Sequence, residues 1–241
     1  MATLKNKKPR ILIKISGGSL QATDSTNPFN LPRVLEICEQ IKTLSKKYEI
    51  GIVVGGGNIW RGRIANDIKM DQRRADYVGM VATIINASLL EAQLDAIGVK
   101  ACVLSAIDCP HLTRIITVDN IDESFNAGNI VIFAGGIGSP YFTTDTGAAL
   151  RAIEIGAKTI LVGKEGVDGV YSSDPNKDKK AKFYDTLTYE KAITDELTIM
   201  DLTSFTMCRE NDIKLIIFNI DAPQALVKAL DGKIKRTIVT K

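Results

Sequence analysis

One lysine, Lys14, interrupts the apolar run Ile11-Leu12-Ile13-Lys14-Ile15, and Ser16-Gly17-Gly18 follows directly. An ammonium facing the interior of a sheet is costly to desolvate, so Lys14 should point at an anion near the strand end. The plainer alternative is an edge-strand lysine reaching solvent. Two more apolar runs end in flexible loops: Ile50 to Val54 in Gly55-Gly56-Gly57-Asn58, and Ile130 to Ala134 in Gly135-Gly136-Ile137-Gly138-Ser139-Pro140. Without a Cβ, glycine lets several backbone N–H groups approach one anion. One such loop is ordinary turn chemistry. Three of them suit a site that holds several phosphates, as a kinase must.

Common nucleotide motifs do not explain these loops. Gly163-Lys164 and Gly232-Lys233 are followed by Glu165 and Ile234, so no Walker A loop exists. The dinucleotide pattern fails at Trp60 and Tyr141, and neither an HRD catalytic loop nor a GxSxG elbow occurs. The single histidine, His111, cannot build a histidine metal site and reads as a loop residue beside Pro110. Asp145, in Thr143-Thr144-Asp145-Thr146, has the composition of a helix cap and first turn, and could also orient Lys14 or hold Mg²⁺. Asp174 sits in a Ser-Asp-Pro turn, where a structural role competes with a functional one. Phosphoryl transfer needs positioning and charge neutralisation rather than a covalent catalyst, which matches this inventory.

Strands and helices must carry these loops. Apolar spacing predicts helices over 32–48, 71–97, about 201–211 and 223–230, with one starting near Thr143. Short apolar runs predict strands at 11–15, 50–54, 101–104, 115–118, 130–134, 159–162, 213–218 and 237–239. Such alternation predicts an α/β fold, a three-layer α/β/α sandwich with a mainly parallel central sheet. Ligands then gather at the carboxyl ends of the strands, where all three glycine loops fall. The chain reads as a single domain over 1–241, with residues 1–9 as a flexible N-terminal segment.

Composition sets the bounds. The 241 residues are 45% hydrophobic and 24% charged, as in an ordinary soluble globular protein. A net charge of +3, spread along the chain, predicts no nucleic-acid partner. No run approaches the roughly 18 apolar residues of a membrane span, and the N-terminus makes a poor signal peptide. Cys38, Cys102, Cys109 and Cys208 form no CxxC pair or zinc spacing, which fits a reduced cytoplasm.

Taken together, Lys14-Ile-Ser-Gly-Gly18, Gly55-Gly-Gly-Asn-Ile-Trp-Arg-Gly62, Asp76-Tyr-Val-Gly-Met80, Phe142-Thr-Thr-Asp145, Val167-Asp-Gly-Val-Tyr171 and Met200-Asp-Leu202 stand in the order found in bacterial uridylate (UMP) kinases. The resemblance runs from about Arg10 to Val239 and places the chain in the amino-acid kinase superfamily. It implies transfer of the γ-phosphoryl of ATP to UMP, giving UDP and ADP, with Mg²⁺, in a cytoplasmic homohexamer. It further implies that Lys14, Ile15, Ser16 and Gly17 meet the ATP phosphates, that Gly57 and Arg61 belong to the ATP side, and that Tyr171 and Asp174 lie at the adenosine. Gly56 would meet the UMP phosphate and Asp76 the ribose. Ile137, Gly138, Ser139, Pro140, Tyr141, Phe142, Thr143 and Thr144 would line the uracil and ribose pocket. Asp145 and Asp201 would organise Lys14 and the metal, for which no direct protein ligand is assigned. One segment departs from the family: Gly163-Lys164-Glu165-Gly166 replaces a Lys-x-Thr type of sequence and reads as one residue longer. Sister enzymes acting on amino acids or carbamate share the first loop, and a non-catalytic nucleotide-binding module is the competing class.

Overall fold

The computed structural model describes residues 8–21, 27–175, 177–197 and 199–241. Residues 1–7 of the expected N-terminal segment lie outside this range, as does Asn176 of the Asp-Pro-Asn turn. Lys8 and Pro9 are tied to the body: the Lys8 ammonium donates to the Ser45 carbonyl at 2.8 Å, and the Pro9 carbonyl accepts from the Glu49 N–H at 3.1 Å.

Among the described residues, nine strands form the central sheet. In chain order its first members are β1 (Arg10–Ile15), β2 (Glu49–Val54), β3 (Ala101–Ser105), β4 (Arg114–Ile115), β5 (Ile130–Ala134) and β6 (Thr159–Lys164). A separate two-stranded hairpin, β7 (Val170–Tyr171) and β8 (Phe183–Tyr184), precedes β9 (Thr186–Thr188), β10 (Lys214–Asn219) and β11 (Arg236–Thr240). The spatial order is β4-β3-β5-β2-β1-β6-β10-β11-β9. Pairing is parallel except between β10 and β11.

Two cores cover the two faces of the sheet. On one face lie α1 (Leu31–Ser45), α3 (Gln72–Ala96) and α8 (Ala225–Asp231), packing Ile37, Ile41, Leu90, Leu94, Leu226 and Ala229. On the other lie α4 (Val118–Asn126), α5 (Thr144–Glu154), α6 (Tyr189–Thr194) and α7 (Leu202–Glu210), packing Phe125, Ala148, Ala152, Tyr189 and Phe205. The short α2 (Gly62–Asp67) follows the second glycine loop. By length and composition α3 could cross a membrane, but its buried stripe, including Ala87, Leu90 and Leu94, packs on the sheet.

The helices α2 and α6, the β7–β8 hairpin and β9 were not expected, and two of the expected elements have different bounds. The apolar run 115–118 ends as a strand at Ile115, because the Thr117 side chain accepts from the Asn120 N–H at 3.1 Å and starts α4. Ile121 and Phe125, four apart, bury that helix, whereas Val118 stays exposed. The last helix begins at Ala225 rather than at Pro223, since Gln224 takes a left-handed conformation (φ 57°).

This topology creates two crevices. Neighbouring β2 and β5 send the chain to opposite faces, to α3 and α5, and neighbouring β1 and β6 do the same. In open α/β sheets, ligands bind outside the carboxyl ends of strands where the winding reverses.

Candidate active site

Lys14 lies on β1, a central strand between β2 and β6, so it is no edge lysine. Ile11, Ile13 and Ile15 enter one core and Leu12 the other, and the two-residue period puts Lys14 on the Leu12 face, towards α5. It is only 8% exposed. Its ammonium lies 2.7 Å from Oδ1 of Asp145. The contact is electrostatic, off the directions of a hydrogen bond, and Oδ1 has no hydrogen-bond partner among the described residues. The local sequence explains the placement: Thr143 Oγ1 accepts from the N–H groups of Asp145 (3.1 Å) and Thr146 (3.2 Å), capping α5 and fixing Asp145 in its first turn.

Asp201 has a different job. It caps α7 through the Ser204 N–H (2.9 Å) and accepts from Thr146 Oγ1 (2.9 Å) and Thr143 Oγ1, so it locks the start of α5 to α7 without an ion pair to Lys14. Burial raises its carboxyl pKa, but donors from Thr143, Ser204 and Thr146 outweigh that and hold it below the usual carboxylate range. A lowered carboxylate contributes stability above its unfolded pKa, about 3.9, and the contribution disappears as pH falls through the folded value. Urea unfolding should therefore show Asp201→Asn less stable than the parent at pH 7, with the gap closing on acidification. A gap independent of pH would mean that ionised Asp201 is not what stabilises the α5–α7 junction.

One cavity, of about 300 Å³, opens between the second and third glycine loops. Gly56, Asp76, Ile137, Ser139, Phe142, Thr143 and Thr144, all expected at the acceptor, line it together with Gly57, Trp60, Met80 and Thr83. Gly57, expected on the donor side, therefore faces this cavity. Gly138, Pro140 and Tyr141 do not line it. Tyr141 turns its ring to solvent while its N–H donates to Asp76 Oδ2 at 2.8 Å. Gln72 donates to Oδ1 at 2.7 Å, so Asp76 is held in place from two sides.

A second cavity, of about 370 Å³, is lined by Lys164, Gly169, Tyr171, Asp174, Leu197 and Ile199 among others. The β7–β8 hairpin presents Tyr171 there, with Phe183 packed edge-on at 5.1 Å between ring centroids. Arg61 lies apart, donating to the Gly57 carbonyl (2.8 Å) and to Gln21 (3.0 Å). Ile15 buries its side chain in the core, leaving its backbone to the loops: its carbonyl accepts from the Gly55 N–H at 2.9 Å. Ser16 Oγ accepts from the Gly18 N–H at 3.2 Å.

Sequence reasoning missed the residues that hold the loops together. Asn86, fully buried on α3, donates to the Gly55 carbonyl at 2.6 Å and pairs its amide with Asn58. Thr83, one turn earlier, accepts from the Gly135 N–H at 2.8 Å and donates to the Met80 carbonyl. Gly135 takes φ +75°, and a Cβ there would meet Ser105 Oγ at 2.9 Å. The available signal was two polar side chains, three apart, in the otherwise apolar stretch from Met80 to Ala87 of α3.

An α/β sheet with two cavities at its carboxyl edge and a buried lysine–aspartate pair beside the glycine loops defines a phosphotransferase-like class. The chain belongs to the amino acid kinase family, which it matches over residues 9–219. It is 47% identical to the uridylate kinase of Mycoplasmoides gallisepticum, over 97% of this chain and 99% of that protein. Identity to the uridylate kinase of Ureaplasma parvum is also 47%, over 98% of this chain and all of the relative. The crystal structure of UMP kinase from Ureaplasma parvum superposes with a TM-score of 0.95, covering 98% of this chain and 100% of that one. That of the Bacillus anthracis UMP kinase, 34% identical, gives 0.91 over 97% and 96%.

Proposed function

We propose that this chain is a UMP kinase that moves the γ-phosphoryl of ATP to UMP, yielding UDP and ADP, for pyrimidine nucleotide synthesis (CTP being made by way of UDP). The observation that carries this reading is the buried Lys14–Asp145 pair, set beside residues that line each of the two cavities. Asp145 follows Thr143 and Thr144 of one cavity wall, and Lys164 of the other wall interacts electrostatically with both members of the pair. Full-length similarity to proteins named uridylate kinase supports the choice of acceptor.

In this reading UMP occupies the cavity of Gly56, Asp76 and Thr144, with Asp76 accepting from the ribose hydroxyls. ATP lies along Tyr171 and Asp174, with its phosphates against Lys14 to Gly17. An oxygen of the UMP phosphate attacks the γ-phosphorus, and the bond to the β–γ bridging oxygen breaks, releasing ADP. Lys14 neutralises charge on the group in flight, and Asp145 holds Lys14 in position before the substrates arrive. No cluster of three or more metal-ligating side chains exists among the described residues. Mg²⁺ is commonly bound through one or two carboxylates, substrate phosphates and water, and Asp145, whose Oδ1 is ion-paired with the Lys14 ammonium, is the carboxylate that would be offered to it. The ion supplies charge neutralisation on the phosphates. We read residues 1–241 as one domain and the working state as a cytoplasmic homohexamer, for which the exposed apolar residues Val78, Val81 and Ile85 on α3 offer surface.

Purified protein with ATP, Mg²⁺ and UMP should release ADP and UDP. Turnover of glutamate or carbamate without UMP would move it to a sister enzyme. Tight nucleotide binding with no turnover would make it a binding module. Asp76→Ala should raise the KM for UMP about tenfold or more, the loss of a charge-assisted hydrogen-bond pair, while the KM for ATP stays put. Equal changes in both constants would remove Asp76 from the acceptor site.

A further inference from the structure

Lys164 ends β6, which pairs in parallel with β1 so that Val162 stands beside Lys14. Val162 and Leu12 share the α5-side core, and the two-residue period returns Lys164 to that same face. Two residues of strand place it about 7 Å further towards the carboxyl edge than Lys14. Its ammonium donates to the main-chain carbonyl of Ile199 on the wall of the Tyr171 cavity and makes no ion pair among the described residues. Glu165, its exposed neighbour, instead accepts from Ser19 Oγ at 3.0 Å.

The charges around it do not balance. Lys14 and Lys164 present two ammonium groups to one carboxylate, Asp145. Burial pulls the Lys164 pKa below the usual lysine range. Asp145 opposes that shift, Lys14 adds to it, and Glu165 opposes it weakly. A partly buried cation held by a neutral carbonyl is a poor device for stability. It becomes useful when a polyanion enters the cavity that it borders.

We propose that Lys164 is a second catalytic cation, whose ammonium turns from the Ile199 carbonyl onto the phosphate oxygens of bound ATP and shares with Lys14 the charge of the transferring group. This rests on the UMP kinase reading and adds a residue of the divergent Gly163–Gly166 segment to the donor's phosphate contacts. Lysine suits the place because its flexible stem lets a point charge move between two acceptors.

The test compares Lys164→Met and Lys164→Arg with the parent by steady-state kinetics, calorimetric titration with ATP in the absence of UMP, and thermal melting. Lys164→Met should lower kcat/KM for ATP by about 100-fold and weaken ATP binding, leave the KM for UMP within about threefold, and keep or raise Tm. Lys164→Arg should recover part of the ATP loss. ATP kinetics within about threefold of the parent would overturn the proposal, as would a lowered Tm with both substrates equally affected, the pattern of a structural lysine. Because ATP binding is read without any acceptor, a parent protein that binds ATP but fails to phosphorylate UMP would refute the acceptor and leave the Lys164 result standing.

Discussion

Lys14→Ala will lower kcat by about 10³-fold or more, while the KM for UMP changes little. Removing one preorganised charge from a transition state costs about 3–4 kcal/mol, two to three decades in rate. Lys14 is the buried ammonium on the central strand, paired at 2.7 Å and set at the head of the first glycine loop, so its share should fall at the upper end. The substitution also strands the Asp145 carboxylate, which is largely buried and has no hydrogen bond at Oδ1. Breaking such a pair on one side is destabilising, whereas removing both charges is far milder. The double variant Lys14→Met with Asp145→Asn should therefore melt nearer the parent than Lys14→Met alone, yet remain inactive. Stability and turnover returning together in the double variant would show that the pair serves the fold alone.

Gly17→Ala will cost about 1–3 kcal/mol of stability, the ordinary cost of overpacking, and nearly all activity. Gly17 is in a right-handed helical conformation, so the reason is space and not φ. A Cβ there would lie 2.5 Å from the Gly57 nitrogen, 2.6 Å from Asn58 Oδ1 and 2.8 Å from the Gly55 carbonyl oxygen. Two of these atoms are backbone and cannot swing away. The first and second loops would have to part, taking Lys14 and the Gly56–Gly57 N–H groups out of alignment. Gly57→Ala is the control, because a Cβ at Gly57 meets nothing within 4 Å. It should unfold at the same urea concentration as the parent. Gly17→Ala unfolding there too, with full activity, would refute the close packing of the two loops.

Strand content was legible because buried parallel strands are written as short apolar runs, and each central strand of this sheet carries one. Helix starts were legible where a side chain caps them, as at Asp71, Thr143 and Asp201. Thr117 caps α4 in the same way, but the β-branched run before it reads as strand, so the helix was missed. The hairpin that carries Tyr171 was missed as well, since two-residue strands hold no period to read.

By itself the sequence determined the parallel α/β architecture, the three loops and the isolation of Lys14, because each is a local pattern of residue type and spacing. Only the tertiary structure decided that β6 crosses to the far side of β1, bringing Lys164 to the same face as Lys14, and that Asp145 rather than Asp201 makes the ion pair. It also decided that Asn86 and Thr83 hold the second and third loops from α3. Strand order and the meeting of distant side chains depend on how whole layers pack, and no local window of sequence contains that information.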